Sequence, residues 1–143
     1  MGTGKINQVV VKRRILLADD EQAVRHAYAL LLGIDQHKVV EASNGSEALE
    51  LYTREAFDIV ITDYQMPVMK GNELARRIKE LKPSQPIIMI TAFEPPQNSS
   101  NPVDVVVHKP FTLDQLRQAI TEAVKHASAT SAKPHRTGKG PEA

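Results

Sequence analysis

The sequence predicts a doubly wound α/β sandwich, and three observations predict it. Five short apolar runs, Ile15–Ala18, Val39–Val40, Ile59–Ile61, Ile87–Ile90 and Val105–Val107, are continuous instead of alternating, as expected of strands covered on both faces of a parallel sheet. Most of the intervals between them carry apolar residues at helical spacing. Strand and helix therefore alternate, the pattern of parallel strands joined by crossover helices.

The elements follow in order. Glu21–Leu32 places Ala23, Ala27, Leu30 and Leu31 on one inward side, and Gly33 is a stop signal. Asn44 followed three residues later by Glu47 reads as a capping box opening a helix with Ala48, Leu49 and Tyr52 inward. Gly71–Leu81 repeats Leu74, Ile78 and Leu81. Thr112 and Gln115 form a second capping box before Leu113, Leu116, Ile120 and Val124. One interval breaks the pattern: Phe93–Pro102 contains Pro95, Pro96 and Pro102, which interrupt most helical registers and predict an irregular loop or at most one turn.

At 143 residues the chain has room for one domain and no second module. Residues 1–11 are expected to be flexible, 12–126 to fold, and 127–143, rich in Ser, Thr, Lys, Gly and Pro, to form a disordered basic tail. The formal charge of +1 hides an asymmetry, because residues 15–126 hold 11 basic against 16 acidic side chains. An acidic folded part argues against direct nucleic-acid binding, where a basic face is expected. No apolar run approaches the roughly 18 residues of a membrane span, Met1–Gln8 has no signal-peptide core, and cysteine is absent, so thiol chemistry is excluded. The expected compartment is the cytoplasm.

The polar residues at the run ends carry the chemistry. Asp19 and Asp20 follow the first run, Asp63 the third, Thr91 the fourth and Lys109 the fifth. In an open parallel sheet the ligand site lies beyond the carboxyl ends of the strands, so these five converge on one pocket. Singly, each has an ordinary reading: Asp20 as a helix N-cap, Asp63 as a turn residue, Thr91 as a local hydroxyl-to-backbone donor, Lys109 as a solvated cation. Their shared position is what makes them a site. Three packed carboxylates resist full ionisation unless a cation is present, and Mg²⁺ suits oxygen ligands together with phosphate oxygens. Lys109 and Thr91 add a positive charge and a hydroxyl donor, and Asp63 at the centre suits carboxylate attack on phosphorus.

The segments Ile15-Leu-Leu-Ala-Asp-Asp-Glu21, Ala42-Ser-Asn-Gly-Ser-Glu-Ala-Leu49, Asp58-Ile-Val-Ile-Thr-Asp-Tyr-Gln-Met-Pro67 with Gly71, Ile90-Thr-Ala92 and Lys109-Pro-Phe111 resemble the response-regulator receiver family. The resemblance runs from about Arg14 to about His126. It implies a five-stranded sheet in the flavodoxin-like order 2-1-3-4-5, with Asp63 as phosphoacceptor. It further implies Mg²⁺ held by Asp20, Asp63 and the Gln65 backbone carbonyl, with Asp19 acting through water. Thr91 and Lys109 would contact the phosphoryl group, Lys109-Pro110 would be cis, and Gln65 and Phe93 would tune the lifetime of the acyl phosphate. The implied partners are a sensor histidine kinase or histidine phosphotransfer protein and a downstream protein target.

Two departures fall on the signalling side. The position three before Lys109, aromatic in most receivers, is Val106, and the interval from Thr91 to Lys109 is short and proline-rich, implying a fourth helix shortened or replaced by a loop. The output face is therefore expected to be atypical. Competing readings are a phosphorylation-independent pseudo-receiver binding module and an Asp-nucleophile phosphatase of the haloacid-dehalogenase type, which wants an acid where this chain has Gln65.

Overall fold

The computed structural model describes residues 11–92 and 102–131, with side chains to residue 129. The elements are β1 (Arg14–Ala18), α1 (Gln22–Ile34), β2 (Lys38–Ala42), α2 (Gly45–Arg54), β3 (Ile59–Asp63), α3 (Gly71–Leu81), β4 (Ile87–Thr91), β5 (Val105–His108) and α4 (Leu113–Ser131). Every strand contains one of the five apolar runs. All pairings are parallel, and the order is β2-β1-β3-β4-β5.

The continuous runs are explained by two cores, one on each face of the sheet. Ile15, Leu17, Ile59, Ile61, Ile88 and Ile90 point to the side covered by α1 and α4, where they meet Leu32, Leu116, Ala119 and Ile120. Leu16, Ala18, Val60 and Ile87 point to the other side, against Ala48 of α2 and Leu74, Ala75 and Ile78 of α3. Each fully buried Leu or Ile contributes about 2 kcal/mol of transfer free energy, so strands covered on both faces are stabilised at every position.

The Thr112 capping box forms reciprocally, and the Asn44 one forms with its return bond shifted by one residue. Asn44 Oδ1 accepts from the Glu47 amide at 2.8 Å, while Glu47 Oε1 reaches back to the Ser43 amide at 2.7 Å. Thr112 Oγ1 accepts from the Gln115 amide at 3.1 Å, and Gln115 Oε1 accepts from the Thr112 amide at 2.8 Å.

Several expectations need correction or a boundary. The inward side of α1 is not Ala23, Ala27 and Leu30, which are exposed, Leu30 by 63%. The side facing the sheet carries Val24, Tyr28, Ala29 and Leu32, with Tyr28 packed on Phe111 at a ring separation of 5.2 Å. Two apolar stripes lie one residue apart on this helix, and the one that holds Tyr28 packs on the sheet and on Phe111, in the loop between β5 and α4. Gly33 does not stop the helix, which runs to Ile34; the left-handed residue that turns the chain is Gln36, at φ 66°. Leu81, expected to face inward, is 60% exposed at the end of α3.

Finally, α4 continues to Ser131, into the segment expected to be tail, because Ala119, Ala123 and Ala127 recur every fourth residue and are all buried. The rest of that segment, the first ten residues, and the Pro-rich interval where a shortened fourth helix was expected lie outside the described residues. No described helix is long and apolar enough to cross a membrane.

Candidate functional site

Asp19, in the turn between β1 and α1, is held at three points. Its amide donates to the Ala42 carbonyl at 3.1 Å, its carbonyl accepts from Arg25 Nη1 at 2.8 Å, and its Oδ1 accepts from the Glu21 amide at 2.9 Å. Its remaining oxygen, Oδ2, is buried and has no hydrogen-bond partner among the described residues. The N-cap of α1 is Glu21, with no side-chain cap bond, so Asp20 is not engaged in capping and lines the site instead.

Asp63 closes β3 and is 9% exposed. The chain beyond it is pinned by the Tyr64 amide donating to the Ile90 carbonyl at 3.1 Å and by the Gly71 amide donating to the Tyr64 carbonyl at 2.9 Å. A Cβ at Gly71 would lie 2.2 Å from the Asp63 carbonyl oxygen, so only glycine permits this return. At the tip of the loop, Val68 has φ 73° and is 82% exposed, inside a three-residue turn closed by the Met69 amide on the Pro67 carbonyl at 2.7 Å.

Thr91 ends β4 and is buried, and its carbonyl accepts from the Lys109 amide at 2.9 Å. That bond carries Lys109 past the end of β5 and brings its Nζ to 3.2 Å from Asp63 Oδ1. The Lys109-Pro110 peptide is cis.

The sheet thus assembles all five residues named from the sequence at its carboxyl edge. Asp19, Asp20 and Asp63 each present an oxygen within 4.8 Å of the others. Asp20, Glu21, Asp63, Gln65, Thr91, Ala92 and Lys109 line a cavity of about 310 Å³. A larger groove of about 790 Å³, between Arg13, His37 and the outer side of α4, lies away from this cluster.

Burial is the leading influence on the carboxyl groups: it raises both Asp19 and Asp63 above the usual carboxylate range, opposed at Asp63 by the bond to Lys109 and at Asp19 by the Glu21 amide. For Lys109, burial alone would favour the neutral amine, but Asp63 and the neighbouring acidic groups outweigh it and hold the ammonium above its ordinary value. An acid cluster strained by its own charge and only partly offset by one lysine is a site for a cation and an anionic group together.

Gln65 is exposed, its Oε1 accepting from Lys70 Nζ at 3.1 Å, and Val106 is half-buried on β5. Phe93 lies outside the described residues. Sequence reading missed Arg25, whose bond to Asp19 depends on how α1 is turned against the sheet, and Tyr28, a neighbour of Lys109 in charge terms, whose phenol burial pushes up. Neither position has a distinguishing local pattern.

A 2-1-3-4-5 sheet with this acid, hydroxyl and amine set at its carboxyl edge is the arrangement of a signalling phosphoacceptor domain. Residues 15–121 match the response regulator receiver domain, and the chain belongs to that family. It is 38% identical over 108 residues to the response regulator receiver protein CpdR of Brucella abortus, covering 73% of this chain and 90% of that one. The crystal structure of the response regulator TrrA of Thermotoga maritima, in complex with Mg²⁺-BeF, superposes with a TM-score of 0.74 at 32% identity over 79% of this chain and 99% of that one. The chain is also 30% identical over 128 residues to the autoinducer 1 sensor kinase/phosphatase LuxN of Vibrio campbellii, covering 82% of this chain but spanning only 14% of that protein.

Proposed function

We propose that Asp63 accepts a phosphoryl group from a phosphohistidine on a sensor kinase or phosphotransfer protein, and that the domain passes the resulting change to a protein target in the cytoplasm. The observation that carries the reading is the placement of Lys109 Nζ 3.2 Å from Asp63 Oδ1 at the rim of the acidic cluster. In the step, a carboxylate oxygen of Asp63 forms the new bond to phosphorus while the phosphorus–nitrogen bond of the donor breaks, and the imidazole leaves with a proton. Lys109 offsets charge on the transferring group, and Thr91 donates its hydroxyl to a phosphoryl oxygen.

The residues fit a divalent cation, because Asp19 Oδ2 is a buried oxygen without a partner among the described residues beside two further carboxylates. Asp20, Asp63 and the Gln65 carbonyl would hold Mg²⁺, with Asp19 acting through water. When bound, the ion supplies charge neutralisation for the anionic group.

Val106 supports a second reading, a pseudo-receiver that binds its partner without phosphorylation, since the side chain that usually reports the switch is absent. Intact mass after incubation with Mg²⁺ and acetyl phosphate or phosphoramidate separates the two. A gain of one phosphoryl group in wild type, absent in Asp63→Asn and without Mg²⁺, is the expected result. No gain, together with no beryllofluoride-induced amide shift at Asp19, Asp20 or Asp63, would leave the binding module.

A further inference from the structure

We infer that Arg25 is a positioning residue for the acidic turn, acting on the cation site through the Asp19–Asp20 peptide without touching ligand. This rests on the phosphoacceptor reading and adds a residue to it. The Arg25 side chain is 13% exposed and donates in two directions: Nη1 to the Asp19 carbonyl at 2.8 Å and Nε to Glu41 Oε1, on β2, at 2.8 Å. The carbonyl it holds belongs to the peptide that leads into Asp20, so its direction sets where the Asp20 side chain leaves the backbone.

The other bonds of Asp19 fix its amide to Ala42 and its Oδ1 to Glu21, which leaves Arg25 as the clamp on the carbonyl. Glu41 fixes the other side of the guanidinium and meets its charge, with His26 Nδ1 at 3.6 Å from Glu41 Oε2. A guanidinium suits this role because its donors form a rigid fork that fixes the direction of both bonds, whereas a lysine ammonium presents three rotatable donors from a single atom and fixes neither.

Geometry and charge predict opposite signs, which makes the role testable. A cation near three carboxylates repels Mg²⁺, so if charge alone mattered its removal would tighten binding. If Arg25 orients the turn, its removal loosens binding, as loss of an outer hydrogen-bond partner does at metal sites.

The experiment is Mg²⁺ titration by calorimetry, with Mn²⁺ broadening of amide resonances in parallel, on the full chain as wild type, Arg25→Lys, Arg25→Met and Asp63→Asn. The expected result is a dissociation constant about tenfold higher in both Arg25 variants, with amide shifts at Lys79, Asp104 and His126, at the other end of the sheet, unchanged. Arg25→Lys keeps the charge and the stem, so it decides the matter even if Arg25→Met fails to fold. Wild-type affinity in Arg25→Lys, or tighter binding in Arg25→Met, overturns the role while leaving the phosphoacceptor reading intact. Absence of Mg²⁺ binding in wild type, or equal binding in Asp63→Asn, overturns both.

Discussion

Lys109 Nζ lies 3.2 Å from Asp63 Oδ1 although the two residues stand at the ends of β5 and β3, with β4 between them. The reach is possible because the Lys109 amide bonds to the Thr91 carbonyl and carries the chain across the end of β4. Since burial raises the Asp63 carboxyl and Lys109 opposes that rise, Lys109→Met is expected to move the Asp63 titration to still higher pH. The side-chain carboxyl carbon shift followed against pH in the metal-free protein checks this. An unchanged or lower midpoint would show that the ion pair does not form in solution.

Gly71→Ala is expected to disturb the site from outside it. The new methyl would meet the Asp63 carbonyl, so the loop between Asp63 and α3 must shift, at a cost of about 2 kcal/mol for such overpacking. Urea unfolding reads the stability loss, and acetyl phosphate labelling is expected to slow in parallel.

His37 makes folding sensitive to mild acid. It is 9% exposed, and its Nδ1 accepts from the Arg13 amide at 3.0 Å, a bond that only the form unprotonated at Nδ1 can make. Burial is the main cause that lowers its pKa, with Asp35 opposing and Arg13 assisting. The folded state therefore binds this proton less readily than the unfolded chain, whose histidine titrates near 6.5. Stability from this group is present above that pH and is lost as pH falls through and below it. In His37→Asn, which keeps an acceptor without the titration, the urea midpoint is expected to fall less than in wild type between pH 7.5 and 5.

Asp104 ties the two helical layers together at the end of the sheet opposite the site. Its side chain is 2% exposed and accepts from the Ile87 amide at 2.8 Å and from Lys79 of α3 at 2.9 Å, while His126 Nδ1 of α4 lies 2.5 Å away. Asp104→Ala removes the partner of a mostly buried lysine and orphans an amide, at a cost of about 3 kcal/mol. Arg76→Ala, which breaks only surface pairs with Glu73 and Glu80, is expected to leave the midpoint unchanged. Equal effects of the two would mean that Asp104 is solvated in solution.

Much of the site was legible because it is written at strand ends. A residue that follows an apolar run in a parallel sheet must emerge at the carboxyl edge, whatever the details of packing, so Asp19, Asp20, Asp63, Thr91 and Lys109 were placed together by connectivity. The caps at Asn44 and Thr112 were legible for a similar reason, since both partners of each lie within four residues.

What the sequence by itself determined, then, was set by local bonding and by the alternation of strand and helix: five strands, their two-sided burial, two capped helix starts and the five polar residues of the carboxyl edge. Tertiary structure alone decided which of two adjacent apolar stripes on α1 faces the sheet, how far α4 extends, and that Arg25 and Asp104 have structural partners on other elements. In those cases rival local solutions have similar free energies, and the choice falls to contacts between residues far apart in sequence, such as Tyr28 with Phe111 and Lys79 with Asp104.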